Sequence, residues 1–212
     1  MKLKTYWISA LTILLLFSTG TGKLQAQNAY QPVTPPQPIQ TGDKIEVLEL
    51  FWYGCPHCYD LEPYLDSWLK NKSADVEFRR MPAILGKNWI PHAKAYFTAE
   101  KLGIVDQIHK PLFDAIHKGR EEIFDEKSLK IFFTNHGVDA GEFTKIYNSE
   151  EVEVKIKESF VMGQRYKITG VPSIIVNGKY LTSTTMAGGY EDLFTIIDQL
   201  IEKEREGNIA QE

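Results

Sequence analysis

Cysteine is scarce in this chain of 212 residues: only Cys55 and Cys58 occur. Two cysteines exclude a disulfide-rich scaffold. Two cysteines with one adjacent histidine also fall short of the four ligands of a structural zinc site. Basic charge is not in excess. Lys and Arg total 24 against 28 Asp and Glu, a formal net charge of −4, which sets aside the basic nucleic-acid binders. There is no internal repeat, and the apolar run at residues 8–17 is about half of the ~20 residues that a membrane span requires. What is present is ordinary for a folded protein. Hydrophobic residues make up 43% and charged residues 25%, in a length suited to one domain or one domain with an insertion.

Residues 1–26 read as a secretory signal peptide. Lys2 and Lys4 precede the apolar run, small and polar residues follow it, and Ala26 offers a cleavage position. An uncleaved membrane anchor is the alternative, and the shortness of the run argues against it. Cleavage removes three lysines and no acid, so the mature chain is more acidic still. Export places both cysteines where disulfides form and persist. Residues 27–41 hold four prolines and read as an extended leader or loose arm.

Residues 44–52 (KIEVLELFW) predict a strand buried on both faces, with Glu49 interrupting the apolar run. A helix is expected from about Cys55. Pro56 is tolerated in its first turn, Leu61, Tyr64, Leu65, Trp68 and Leu69 follow at helical spacing, and Pro63 is expected to kink it. Residues 76–81 predict a second strand, parallel to the first through that helix. From 89 to about 160 the pattern is helical, and residues 150–168 predict one long amphipathic helix with Val154, Phe160, Val161 and Tyr166 among its apolar positions. Gly103, Gly119, Gly137 and Gly170 fall near expected helix ends. Asn177-Gly178 between two short apolar runs signals a hairpin. A closing amphipathic helix carries a charged tail, 205–212, expected to fray. The sum is an α/β fold: a small sheet domain, 42–84 and 150–204, with an all-helical insertion, 85–149.

The chemistry lies in Cys55-Pro56-His57-Cys58, where a strand ends and a helix begins. The unpaired amides and positive dipole end of a helix N-terminus stabilise a thiolate, which lowers the pKa of Cys55. His57 can add a hydrogen bond or a positive charge. Cys58, one turn later and more buried, is placed to resolve a mixed disulfide formed on Cys55. A purely structural disulfide is the competing reading, but so short a loop removes little unfolded-state entropy. The other histidines, His92, His109, His117 and His136, lack ligand spacing, so no metal site is expected.

The stretch from Glu49 through Cys55-Pro-His-Cys58 to Pro63, followed over 100 residues later by Thr169-Gly-Val-Pro172-Ser-Ile-Ile-Val-Asn-Gly-Lys179-Tyr180, resembles the DsbA family of periplasmic thiol:disulfide oxidoreductases. The resemblance spans essentially the whole mature domain. It implies a thioredoxin-like fold with a helical insertion and a monomer without bound cofactor. It also implies an oxidant that donates its disulfide to unfolded exported proteins and is re-oxidised by a quinone-linked, DsbB-like membrane protein. By the same resemblance Pro172 is cis against the disulfide. The Val171 backbone then pairs with substrate, and Glu49 is a buried acid that moves a proton to or from Cys58. The usual basic partner of that acid is not obvious, and Arg79 or Arg80 can substitute. Trp52 and Tyr53 are either a substrate-facing rim or core. Leu61, Leu65 and Met186, with the loop 182–189, either line an apolar groove beside the cysteines or pack in the core.

Two other functions fit parts of the pattern. A reductase or isomerase shares the fold, but the Pro56-His57 dipeptide favours the oxidant, and no separate dimerisation segment is present for the dimeric isomerases. A chaperone-like binding module with a structural disulfide is the rival from another class. Insulin reduction combined with a redox potential separates all three.

Overall fold

The computed structural model describes residues 29–209; the expected signal peptide and the last residues of the expected tail lie outside them. The central sheet has five strands in the order β1 (Gln31–Pro32), β5 (Tyr180–Thr182), β4 (Ser173–Val176), β2 (Ile45–Phe51) and β3 (Val76–Pro82). Only the β2–β3 pair is parallel, and helix α1 (Pro56–Asn71) makes that crossover. Every residue of β2 is buried, because both of its faces are covered. Ile45 and Val47 face Leu61, Leu65 and Trp68 of α1 and Leu193, Ile197 and Leu200 of the last helix, α8 (Tyr190–Ile209). Leu48 and Leu50 face Tyr166, Ile168 and Ile175 on the other side.

The helical insertion consists of α2 (Ile90–Leu102), α3 (Val105–His117), α4 (Glu126–Asn135) and α5 (Ala140–Tyr147), entered through a single 3-10 turn at Lys87–Trp89. It is followed by α6 (Glu150–Arg165), whose Val152 and Ile156 pack into the insertion core. That core is continuous with Phe51, Tyr53, Cys55 and Cys58, so the insertion is built onto the cysteine end of the sheet. Asp125, Asp139 and Ser149 cap α4, α5 and α6 with side-chain oxygens on free backbone amides. A short helix, α7 (Thr184–Ala187), follows β5 and is capped by Ser183.

Several expectations are corrected. The supposed loose arm is part of the fold. Gln31 and Pro32 pair with β5, Val33 N–H donates to the Lys179 carbonyl at 2.7 Å, and Ala29 and Val33 are buried. Pro63 lies inside α1, on its exposed side, and does not end the helix, which continues to Asn71. Helix α6 ends at Arg165, earlier than expected. Lys167 (φ 55) takes the left-handed position that the sequence reading gave to Gly170. Val154, Phe160 and Val161 are exposed rather than packed. The tail does not fray at 205: α8 continues to Ile209, and Arg205 holds both carboxylate oxygens of Asp75 at 2.8 Å. The hairpin is as expected, with Asn177 (φ 50) and Gly178 (φ 66) in the three-residue turn between Val176 and Tyr180.

Candidate active site

Cys55 is the N-cap of α1. Its sulfur accepts the backbone N–H of Cys58 at 3.3 Å and lies 3.4 Å from the Val171 carbonyl. Val171-Pro172 is a cis peptide, just ahead of β4, so the proline loop and the helix start meet at the Cys55 sulfur. Cys55 is 7% exposed and Cys58 is fully buried. The Cys58 thiol, and after it the amides of Cys58 and His57, stabilise the Cys55 thiolate. Against the opposing effect of burial they bring its pKa down to about 6. Burial, followed by the neighbouring Cys55, pushes the Cys58 thiol well up. One sulfur is thus poised as nucleophile and leaving group, and the other is held as a thiol.

His57 contributes less than its place in the motif implied. Its ring is exposed and its Nδ1 lies 3.3 Å from the Tyr190 hydroxyl rather than at the sulfur. Its charge lowers Cys55 less than the Cys58 thiol and the backbone amides do. Tyr190 in turn stacks on Tyr64, at 5.2 Å between ring centroids.

Glu49 is fully buried on the face of β2 that α1 covers, sharing it with Val47 and Phe51. Arg80 stands opposite it in the β2–β3 register and donates Nε–H to it at 3.1 Å. Arg80 is therefore the basic partner that the sequence left undecided. Arg79 points to the other face and pairs with Glu46 at 3.1 Å. Burial raises the Glu49 carboxyl to about 8 even against the charge of Arg80. The sequence reading missed three members of this cluster. Glu62, on α1, accepts from Arg80 Nη2 at 3.3 Å on both oxygens. His109, on α3, lies 3.4 Å from Glu62, and the Tyr53 hydroxyl lies 3.0 Å from His109 Nδ1. Glu62 left a trace in the sequence, as a charge set between Leu61 and Leu65 on the buried stripe. His109 left none, since only the tertiary fold brings α3 beneath the cysteines.

A cleft of about 640 Å³ opens beside the cysteines. His57, Val171, Pro172 and Met186 line it, as do Val33 and Thr34 of the N-terminal arm. Its wall is not the apolar groove expected, because Thr169, Ser173, Ser183, Thr184, Arg165 and Lys167 also contribute. Leu61 and Leu65 do not reach it. They are 0% and 1% exposed, facing the sheet on the same stripe of α1 as Cys58 and Trp68. The face of α1 left to solvent beside the motif carries His57, Asp60 and Tyr64 instead. Tyr53 is core, whereas Trp52 is half-buried and stacks flat on Trp89 at 4.4 Å.

The family model for the DSBA-like thioredoxin domain matches residues 76–200. The thiol:disulfide interchange protein DsbA of Pseudomonas aeruginosa is 39% identical over 180 residues, covering 85% of this chain and 85% of the relative. Its counterpart in Pseudomonas syringae pv. tomato is 38% identical over 182 residues, covering 86% and 85%. The crystal structure of Pseudomonas aeruginosa DsbA matches with a TM-score of 0.81 at 38% identity, covering 86% of this chain and 95% of that one. The oxidoreductase DsbA from Xylella fastidiosa matches with a TM-score of 0.79 at 31% identity, covering 84% and 96%. The fold is thus the thioredoxin-like fold with a helical insertion that the sequence suggested. The chain belongs to the DsbA family, and Cys55 and Cys58 are the redox pair of a thiol:disulfide oxidoreductase.

Proposed function

We propose that the chain acts in the periplasm as a monomeric dithiol oxidase for newly exported proteins. A substrate thiolate attacks Cys55 of the oxidised pair and forms a mixed disulfide. The Cys55–Cys58 bond breaks with its electron pair passing to Cys58, and Glu49 supplies the proton that leaves Cys58 a buried thiol. A second substrate thiolate then attacks the substrate sulfur of the mixed disulfide and expels Cys55 as a thiolate. The pair returns to the disulfide by passing two electrons to a quinone-linked, DsbB-like membrane protein. Val171, Pro172 and Met186 line the cleft where the substrate segment would lie, and Leu61 and Leu65 drop out of that role. The fold and the chemistry require no bound cofactor.

The observation that carries this reading is the depressed pKa of Cys55 at the helix N-cap. Whatever stabilises the thiolate stabilises the reduced form relative to the disulfide, and so makes the disulfide a stronger oxidant. Equilibration with glutathione, monitored with insulin reduction, tests it. The oxidase reading expects the pair to remain largely reduced in mixtures where glutathione is mostly oxidised, and expects slow insulin reduction. A pair that stays oxidised there and reduces insulin rapidly would establish the reductase reading instead.

A further inference from the structure

Behind the cysteines, one guanidinium is shared by two buried carboxylates. Arg80 gives Nε–H to Glu49 and Nη2–H to Glu62. Two carboxylates with one cation in a dry site do not both ionise freely, and titrate as a coupled pair. Their surroundings differ. Glu49 has one donor, and its Oε1 is buried without a partner. Glu62 has Arg80 on both oxygens and His109 Nε2 at 3.4 Å on Oε1.

The His109 tautomer follows from its neighbours. An ionised Glu62 only accepts, so Nε2 carries the hydrogen. Nδ1 is then an acceptor, and the Tyr53 hydroxyl donates to it at 3.0 Å. The edge-on rings of Phe51 and Phe113, 5.2 and 5.1 Å away between centroids, hold the imidazole in place. The remaining groups facing Glu49 are Cys55 and Cys58 from α1 and the phenols of Tyr53 and Tyr96. Tyr96 donates to the Arg80 carbonyl, at 3.4 Å, and to neither acid. The residue paired with Glu49 on β4 is Ile174, which is apolar.

We propose that His109 is a positioning residue that assigns the proton of this cluster to Glu49 rather than Glu62, so that the acid acting on Cys58 is loaded when the disulfide opens. By donating to Glu62, His109 keeps that carboxylate ionised and paired with Arg80. Glu62 then offsets much of the cation, and Glu49 keeps its proton. When substrate attacks Cys55, that proton passes to the Cys58 sulfur as it takes the electron pair of the broken bond, and Glu49 ends as a carboxylate on Arg80. The proposal rests on the oxidase reading for its purpose but not for its test.

The test compares His109→Leu, which removes the donor, with His109→Gln, which keeps an N–H for Glu62. The readout is the C=O stretch of a protonated carboxyl, followed by difference infrared spectroscopy on the oxidised protein across pH. The wild-type band is expected to vanish in Glu49→Gln. The midpoint of this Glu49 band should fall by one pH unit or more in His109→Leu, a tenfold change in the ionisation constant, with any carboxyl band that replaces it vanishing when Glu62→Gln is added, and stay close to wild type in His109→Gln. The pH at which opening of the disulfide by a dithiol peptide slows should move with it. A band that persists in Glu49→Gln, or a folded His109→Leu protein with an unmoved midpoint, overturns the proposal. If His109→Leu does not fold, Glu62→Gln replaces it. Loss of that charge leaves Arg80 to Glu49 alone and must also lower the midpoint, and an unchanged value overturns the proposal equally. A midpoint that shifts as stated in a protein that fails to oxidise dithiols defeats the oxidase reading and leaves the role of His109 standing.

Discussion

At the scale of single residues, the site separates two sulfurs one helical turn apart by their surroundings alone. The Cys55 sulfur receives an amide at the N-cap, whereas Cys58 lies on the buried stripe of α1. The motif made the amide-capped position of Cys55 legible, because a helix start leaves amides unpaired whatever the tertiary fold. It did not make the source of the thiolate's stability legible. The sequence points to His57, but the ring turns to Tyr190 and the Cys58 thiol is the larger influence on Cys55. Cys58→Ala is therefore expected to raise the Cys55 pKa more than His57→Ser does. Both should remain below a free thiol, since the backbone amides survive either change. Thiolate ultraviolet absorbance against pH measures both. A larger rise in His57→Ser would return the main part to the histidine.

At the scale of elements, the sequence was most readable where one local rule sufficed. The strand β2 buried on both faces, the Asn177-Gly178 hairpin and the helical spacing of the insertion are all present as expected. It was least readable where a distant partner decides the outcome. The proline-rich segment after the expected signal peptide looks like a linker by composition, yet it completes the sheet because β5 offers an edge. Leu61 and Leu65 are on the buried side because the sheet and α8 cover α1 there, and Cys58 on the same stripe was the available clue. The arm also depends on the hairpin turn. Gln37 N–H donates to the Gly178 carbonyl at 2.9 Å, and a Cβ at Gly178 would collide with the Gln37 backbone. Gly178→Ala also places a side chain at φ 66, which is unfavourable for an L-residue. The substitution is expected to destabilise the protein by about 1 kcal/mol or more. It should also accelerate hydrogen exchange at the amides of Val33 and Gln37 ahead of the sheet centre. Equal protection of those amides in the variant would show that the arm is held elsewhere.

At the scale of the whole molecule, the buried titratable groups of the site and insertion set how stability depends on pH, and they act with opposite signs. Burial lowers His92 to about 4 and also lowers His109. Between its folded and unfolded pKa each binds more protons unfolded than folded, so stability rises with pH there and levels off by about 6.5. Glu49 works the other way. Its folded pKa of about 8 lies above an ordinary carboxyl near 4.5, so within that window the folded protein binds more protons. Its contribution is fully present below the unfolded pKa and is lost as pH rises through 8. As pH rises past 6.5 the histidine term fades and Glu49 dominates, with a slope of up to about 1.4 kcal/mol per pH unit. The oxidised protein removes both thiols from the titration and isolates the effect. Denaturant unfolding of that form is expected to give maximal stability near pH 6.5, declining toward pH 8. Glu49→Gln should flatten the decline above pH 6.5 and steepen the rise below it. A decline of the same steepness in Glu49→Gln would mean that the proton lost there does not reside on Glu49. The site would then lack the loaded acid proposed to protonate Cys58.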